Sequence, residues 1–372
     1  LTPPGEEARV VAHLSQTHPE LVEALRADGA TILIGERAVR VPGLLSVADA
    51  LATATGAHLA WVPRRSGERG GIEAGLLPGL LPGGRPVTDP EARAQVERAW
   101  NLGPEHLLPT TPGRDATAIL SALLEGSLGG AVIGGIDLRD FPDPGLARAA
   151  LAASGFTVQL EVRRSEVSEH ADVVLPVAPA VEKNGTFVNW EGRVRPFGQA
   201  HVSRARTDRQ VLGMLSGEMG VDLQVDDLVV LHEQLADLGL WRGQRPSVAF
   251  GPAPAVCAGA PADDGVEARL TTHKPMLDAG RLQDGEPFLA ATALRPVARV
   301  GADLAQRLSL AAGQEVTVAT ATGSITLPAV VGGVSDGTVW LPECSAGSTV
   351  HQTLGAGHGS QVTLTHAAEV LR

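Results

Sequence analysis

Apolar and polar positions follow two different periods along this 372-residue chain, and the change of period divides it. Through about residue 240, apolar positions recur at helical spacing and alternate with short continuous apolar runs. Residues 5–28 predict one or two helices ending at Asp28-Gly29, followed by a strand over Thr31–Ile34. Pro42 and Gly43 open a helix carrying Leu44, Leu45, Val47, Ala48 and Leu51. Gly56 stops it, and Leu59–Val62 is the next strand. A second run predicts a helix over 115–125, a strand over Ala131–Ile133, a helix over 144–153, and strands over Phe156–Val162 and Ala171–Val177. Two amphipathic helices, near 208–219 and 226–238, close it. Strands without polar alternation, interleaved with helices, indicate a parallel sheet covered on both faces.

From 243 to 285 the chain is rich in Pro, Ala and Gly without clear periodicity, and a linker is expected there. Beyond it the period falls to two. Phe288–Leu294, Glu315–Ala319, Ser324–Val331, Thr338–Leu341 and Gln361–Thr365 are short β-type runs separated by Gly and Asp-Gly turns. A short helix is expected at Ala302–Leu308. This pattern predicts a small β-barrel with Val316, Val318, Ile325, Leu327, Val339 and Leu341 pointing inward. The expected organisation is an α/β unit over 1–110, a second over 111–242, the linker 243–285, and the barrel domain 286–372. Between Pro63 and Pro86 lie seven Gly and four Pro, so a long irregular loop is expected, of a length that often serves function or a partner.

Composition narrows the function classes. The net charge of −12 argues against an electrostatic nucleic-acid binder, and 5 Trp, 6 Phe and no Tyr offer few stacking platforms for bases. The two cysteines, Cys257 and Cys344, are too few for an iron–sulfur cluster or a structural zinc site. They read as two buried thiols, with one disulfide as the alternative. No segment reads as a membrane span. The chain begins at Leu1, which fits a fragment of something longer, and the sheet at 115–212 is expected to need further strands. Such a fragment would leave an unpaired edge or an exposed apolar face. No Gly-x-Ser-x-Gly, Walker loop or Gly-x-Gly-x-x-Gly occurs, so nothing looks catalytic by itself.

The most informative stretch is 171–194. A buried strand runs into Pro176, then a polar Gly-containing turn, then a second short strand ending in Glu191-Gly192-Arg193. A turn at the C-terminal end of a strand in an open α/β sheet lies where ligands usually bind. Its N–H groups, Lys183 and Arg193 suit a phosphate or a pterin-like heterocycle, and a well-capped surface hairpin is the alternative. Arg195, Arg204, Arg206 and Arg209, with His201, make a basic patch in an acidic protein. It could contact an anion or an acidic partner, or be a solvated face bridged to Asp208 and Glu191. His351 and His358 flank a Gly-rich turn and read as part of an ordinary surface loop.

The string ADVVLP…EKNGTFVNWEGRV in 171–194 resembles the signature of the molybdopterin oxidoreductase superfamily. Leu59-Ala-Trp-Val-Pro-Arg-Arg, Gly70–Gly75 and 160–170 narrow the resemblance to the large iron–sulfur subunit of bacterial NADH-quinone oxidoreductase, respiratory complex I. Residues 300–316 resemble that superfamily's double-psi β-barrel. The resemblance implies an α/β fold of parallel-sheet, Rossmann-like units followed by a small double-psi barrel. In cofactor-binding relatives the matching positions, Lys183, Gly185, Thr186, Asn189 and Arg193, lie close to a molybdopterin guanine dinucleotide.

Two departures are visible: the Gln usual after Gly-Arg-Val is Arg195, and the usual Gly-x-Asn-Pro step is Gly134-Gly135-Ile136-Asp137. The site is therefore expected to be a relic, with Lys183 and Arg193 set against acidic groups or carbonyls. The resemblance implies a structural module with no catalytic residue, no metal and no cofactor of its own. The family's 2Fe-2S and 4Fe-4S clusters belong to its N-terminal region. The implied partners are other peripheral-arm subunits on the cytoplasmic side of the plasma membrane, in a complex passing electrons from NADH to quinone. The alternatives are the C-terminal part of an active molybdenum enzyme, such as a formate dehydrogenase or nitrate reductase, and a stand-alone nucleotide-binding module.

Overall fold

The computed structural model describes residues 2–63, 67–244 and 265–367. Cys257 and residues 245–264 of the expected linker lie outside them. The chain divides into two compact units, one of Leu1–Val62, Arg139–Gly145 and Ala249–Arg372, the other of Pro63–Leu138 and Leu146–Val248.

The first unit opens with three short helices, Glu7–Ala12, Leu14–Thr17 and Pro19–Ala24, where one or two were expected. Pro19 explains one break, because a residue before proline is pushed out of the helical region, and His18 has ψ 63°. Strands β1 (Thr31–Gly35) and β2 (His58–Val62) then pair in parallel, linked by helix Leu44–Thr55. The left-handed Gly56, φ 81°, ends that helix as the sequence indicated.

In the second unit β3 (Ala131–Gly134), β4 (Thr157–Glu161) and β5 (Val173–Pro176) form a parallel sheet in that order. Helices Ala116–Leu124 and Pro144–Ala153 fall at the expected places. Central β4 is buried at Thr157, Gln159, Leu160 and Glu161. The outer strands each have one neighbour among the described residues, and Val132 and Val173 are exposed on them. An open three-stranded sheet has two such edges by construction.

The 63–86 stretch is more ordered than its composition suggested. It contains helix Glu68–Glu73 and a two-residue ladder between Leu80–Leu81 and Arg85–Pro86. Glycine serves close packing here: a Cβ on Gly75 would lie 2.8 Å from the Leu81 backbone carbon. Next, β6 (Gly185–Val188) and β7 (Val194–Phe197) form an antiparallel hairpin, followed by helices Asp208–Glu218 and Leu228–Leu238.

The first unit is completed by a closed six-stranded barrel. Its strands are β8 (Val266–His273), β9 (Ala298–Val300), β10 (Glu315–Ala319), β11 (Ser324–Val331), β12 (Thr338–Pro342) and β13 (Gln361–His366). Their order around the barrel is β8-β12-β9-β11-β10-β13, with β8–β12 and β9–β11 parallel and the other pairs antiparallel. This is the expected double-psi barrel. All six predicted inward residues are buried, and they pack with Leu270, Val300, Leu304 and Leu364 in one core.

Two boundaries differ from those the sequence pattern predicts. Strand β8 lies inside the stretch expected as linker. Its inward side is Ala268, Leu270 and Thr272, so the period-two pattern is muted by small and polar residues. Phe288–Leu294 is not a strand. Helix Pro287–Ala290 starts there, capped by the Glu286 carboxylate accepting from Leu289 N–H, and proline suits a first helical position. Short β9 supplies the remaining strand.

His351 and His358 are not on an ordinary surface loop. Both are largely buried. His351 Nε2 lies 3.1 Å from Glu343 Oε1. His358 bridges Glu7 Oε1 at 3.0 Å and Thr271 Oγ1 at 3.1 Å. The left-handed Gly355, φ 57°, ends helix Val350–Leu354 and turns the chain back toward the barrel.

Candidate functional site: the 173–209 turn and hairpin

Strand β5 ends at Pro176, and Ala178 N–H then donates to Arg206 O at 2.7 Å, tying the exit of the strand to the later segment. A single 3-10 turn over Ala180–Glu182 leads to Lys183. Lys183 Nζ donates to the carboxylate of Asp208, forming an ion pair. Local signals place Asp208: Thr207 caps helix Asp208–Glu218 and forms a reciprocal capping box with Gln210. A carboxylate in that first turn also complements the helix dipole. Lys183 thus has the counter-charge expected of it, from a residue whose sequence neighbours suggested an arginine partner instead.

The hairpin accounts for the other four matching positions. Asn189 holds the turn: its N–H donates to Arg193 O at 3.0 Å, and its Oδ1 accepts from Arg193 N–H at 2.8 Å. Gly192 adopts φ 84°, a left-handed conformation the turn requires. Arg193 Nε pairs with Glu191 at 3.0 Å. Thr186 Oγ1 lies 3.1 Å from His232 Nε2, a contact no local pattern indicated.

Gly185 faces Phe197 across the ladder, and a Cβ there would sit 2.8 Å from Phe197 Cζ. Its missing side chain therefore makes room for a ring of this protein, which also packs on Phe187 at a centroid distance of 5.1 Å. Arg69 donates to Trp190 O at 2.9 Å and anchors the far side of the turn.

The bridges expected from the arginine patch to Asp208 and Glu191 do not form. Lys183 and Arg193 occupy those carboxylates, and Arg209 instead donates to Val225 O. Arg195, Arg204 and Arg206 are exposed.

Residues 58–218 match the molybdopterin oxidoreductase family. Over 346 residues the chain is 48% identical to the G subunit of NADH-quinone oxidoreductase from Mycobacterium tuberculosis (strain CDC 1551 / Oshkosh), covering 92% of this chain and 42% of that protein. The chain is a homologue of the NADH-quinone oxidoreductase G subunit. The corresponding protein of Streptomyces coelicolor (strain ATCC BAA-471 / A3(2) / M145) is 44% identical over 357 residues, 94% of this chain and 42% of that one. This homologue therefore spans less than half the length of the curated relatives it matches. A putative formate dehydrogenase of Bacillus subtilis (strain 168) is 28% identical over 155 residues, 41% of this chain and 15% of that protein. The five signature residues of the homologue, Lys183, Gly185, Thr186, Asn189 and Arg193, all fall in the segment shared with the family.

Proposed function

We propose that the chain is a structural, non-catalytic C-terminal module of the large iron–sulfur subunit in an NADH-quinone oxidoreductase complex. That complex passes electrons from NADH through iron–sulfur clusters to quinone, coupled to proton translocation. The module's work is to support the cluster-bearing part of the subunit and to present surface to neighbouring peripheral-arm subunits on the cytoplasmic side of the membrane. No helix among the described residues is long and apolar enough to cross a membrane.

The observation that carries this reading is the state of the signature turn. A pyrophosphate needs free cations and an open glycine edge. Here Lys183 is neutralised by Asp208, Arg193 is paired with Glu191, and the Phe197 ring fills the space beside Gly185. These residues do not fit a molybdopterin guanine dinucleotide, and the site reads as a relic stabilised by its own counter-charges. Both cations have carboxylate partners within the chain in place of a ligand's phosphates.

The test is Lys183→Ala in the full-length subunit within the assembled complex. NADH-quinone electron transfer is expected to stay within about twofold of wild type. The stability loss should be no more than about 1 kcal/mol, since the Lys183–Asp208 pair is only partly buried. Metal and pterin analysis of the same preparation is expected to find no molybdenum. A stoichiometric pterin, or a large fall in activity with intact assembly, would favour the molybdenum-enzyme alternative.

A further inference from the structure

We propose that the β6–β7 hairpin and the segment after it form a docking surface for an acidic protein segment that also presents apolar side chains. Residues 192–207 contain four arginines, Arg193, Arg195, Arg204 and Arg206, and no Asp or Glu, in a chain of net charge −12. Arg193 is neutralised by Glu191. Arg195, Arg204 and Arg206 are exposed, and each lacks a side-chain hydrogen bond or ion pair among the described residues. A protein this acidic that keeps three cations within residues 195–206 exposed and unneutralised offers a surface complementary to negative charge.

Apolar surface accompanies these charges. Trp190 is 64% exposed and Val202 88%. Phe187 lies directly opposite Arg195 in the ladder, so both side chains stand on one face of the hairpin, where Phe187 is half exposed. Exposed Trp and Phe beside Arg is the composition of interface hot spots.

The surface is also held in place. Asn189 closes the turn with two bonds to Arg193, and Arg69 fixes the Trp190 carbonyl. Ala200 and His201 N–H both donate to Val181 O at 2.9 Å, and Arg206 O accepts from Ala178 N–H. Ordering these groups beforehand lowers the entropy lost on association. A nucleic acid is disfavoured as the occupant because three unneutralised arginines offer few phosphate contacts, whereas exposed Trp190 and Phe187 suit the apolar side chains of a polypeptide. The inference does not depend on which complex the chain joins.

A photoreactive residue at position 202 in the full-length protein, activated in cells, tests it. The expected result is an adduct to another polypeptide, with mass spectrometry placing it in a segment of net negative charge that contains apolar residues. The triple variant R195Q/R204Q/R206Q is expected to cut the adduct yield about tenfold, and Trp190→Ala to lower it too, with unchanged thermal midpoints. An adduct to a neutral or basic segment or to nucleic acid, the absence of any intermolecular adduct, or a yield indifferent to the three arginines would overturn the proposal.

Discussion

Replacing Arg85 with alanine is expected to destabilise the second unit by about 3–5 kcal/mol, because four acceptors around a buried guanidinium would lose hydrogen bonds from a charged donor. Arg85 is 3% exposed and uses most of its guanidinium donors. Nε donates to Gln95 Oε1 at 3.0 Å, Nη1 to Pro82 O at 2.9 Å and Gly239 O at 2.8 Å, and Nη2 to Leu238 O. Leu238 and Gly239 end helix Leu228–Leu238, whose last carbonyls have no partner within the helix. The side chain therefore caps this helix from 153 residues away in sequence and ties it to the 82–95 region. Burial pushes the guanidinium pKa down, but from so high a starting value that it stays charged at neutral pH.

The Trp241 ring lies 5.9 Å from the guanidinium carbon and supplies a fluorescent reporter. Urea unfolding followed by tryptophan fluorescence checks the prediction. Arg85→Lys should recover only part of the loss, because an ammonium has three donors in a different geometry. A loss below about 1 kcal/mol for Arg85→Ala would mean that water replaces these bonds without penalty.

The second large effect is expected at Glu343 and depends on pH. Glu343 is buried beside the barrel and accepts two bonds from Arg40, at 2.7 and 3.2 Å, with His351 3.1 Å away. Burial alone would raise the carboxyl pKa. The hydrogen bonds from His351 and Arg40, with their charges, outweigh it and hold the pKa at about 2. Because this lies below the unfolded value, the stabilisation is present in full above about pH 4.5 and is lost as pH falls toward 2.

A shift of that size corresponds to about 3 kcal/mol at neutral pH. Glu343→Gln is expected to lose that amount at pH 7, with the difference shrinking as pH falls below 4.5 and nearly gone by pH 2, where the unfolded carboxyl is protonated and the folded one about half so. Denaturation midpoints of the two proteins across pH 2–7 check it, and parallel curves would show that the pair contributes nothing. Arg40 sits in the N-terminal segment of the first unit, so the pair also links that segment to the barrel.

The elements of this protein were largely legible in its local sequence, because their causes are local. Gly56 ends one helix, and Thr207 with Gln210 starts another. The six inward barrel positions follow the two-residue period that one buried face imposes. The 171–194 signature was equally readable as a string, since the turn is closed by Asn189 and Gly192 acting on near neighbours. Strand β8 is hidden because Ala268 and Thr272 weaken the periodic signal, and the run 288–294 predicts a strand where the structure has the helix at Pro287, because its apolar positions have no period of their own.

Tertiary structure alone decided which charges meet. Lys183 could have faced a phosphate, and Asp208 could have served an arginine. Folding brought those two together across 25 residues, left Arg195, Arg204 and Arg206 exposed, and set Phe197 beside Gly185. Arg85 with Leu238 and Arg40 with Glu343 are paired across still longer separations. Side-chain periodicity reports which face of an element is buried, but it carries no information about which element packs on that face. A charge in sequence is therefore only an unassigned partner, and its role is settled when packing removes water from one neighbour and not another.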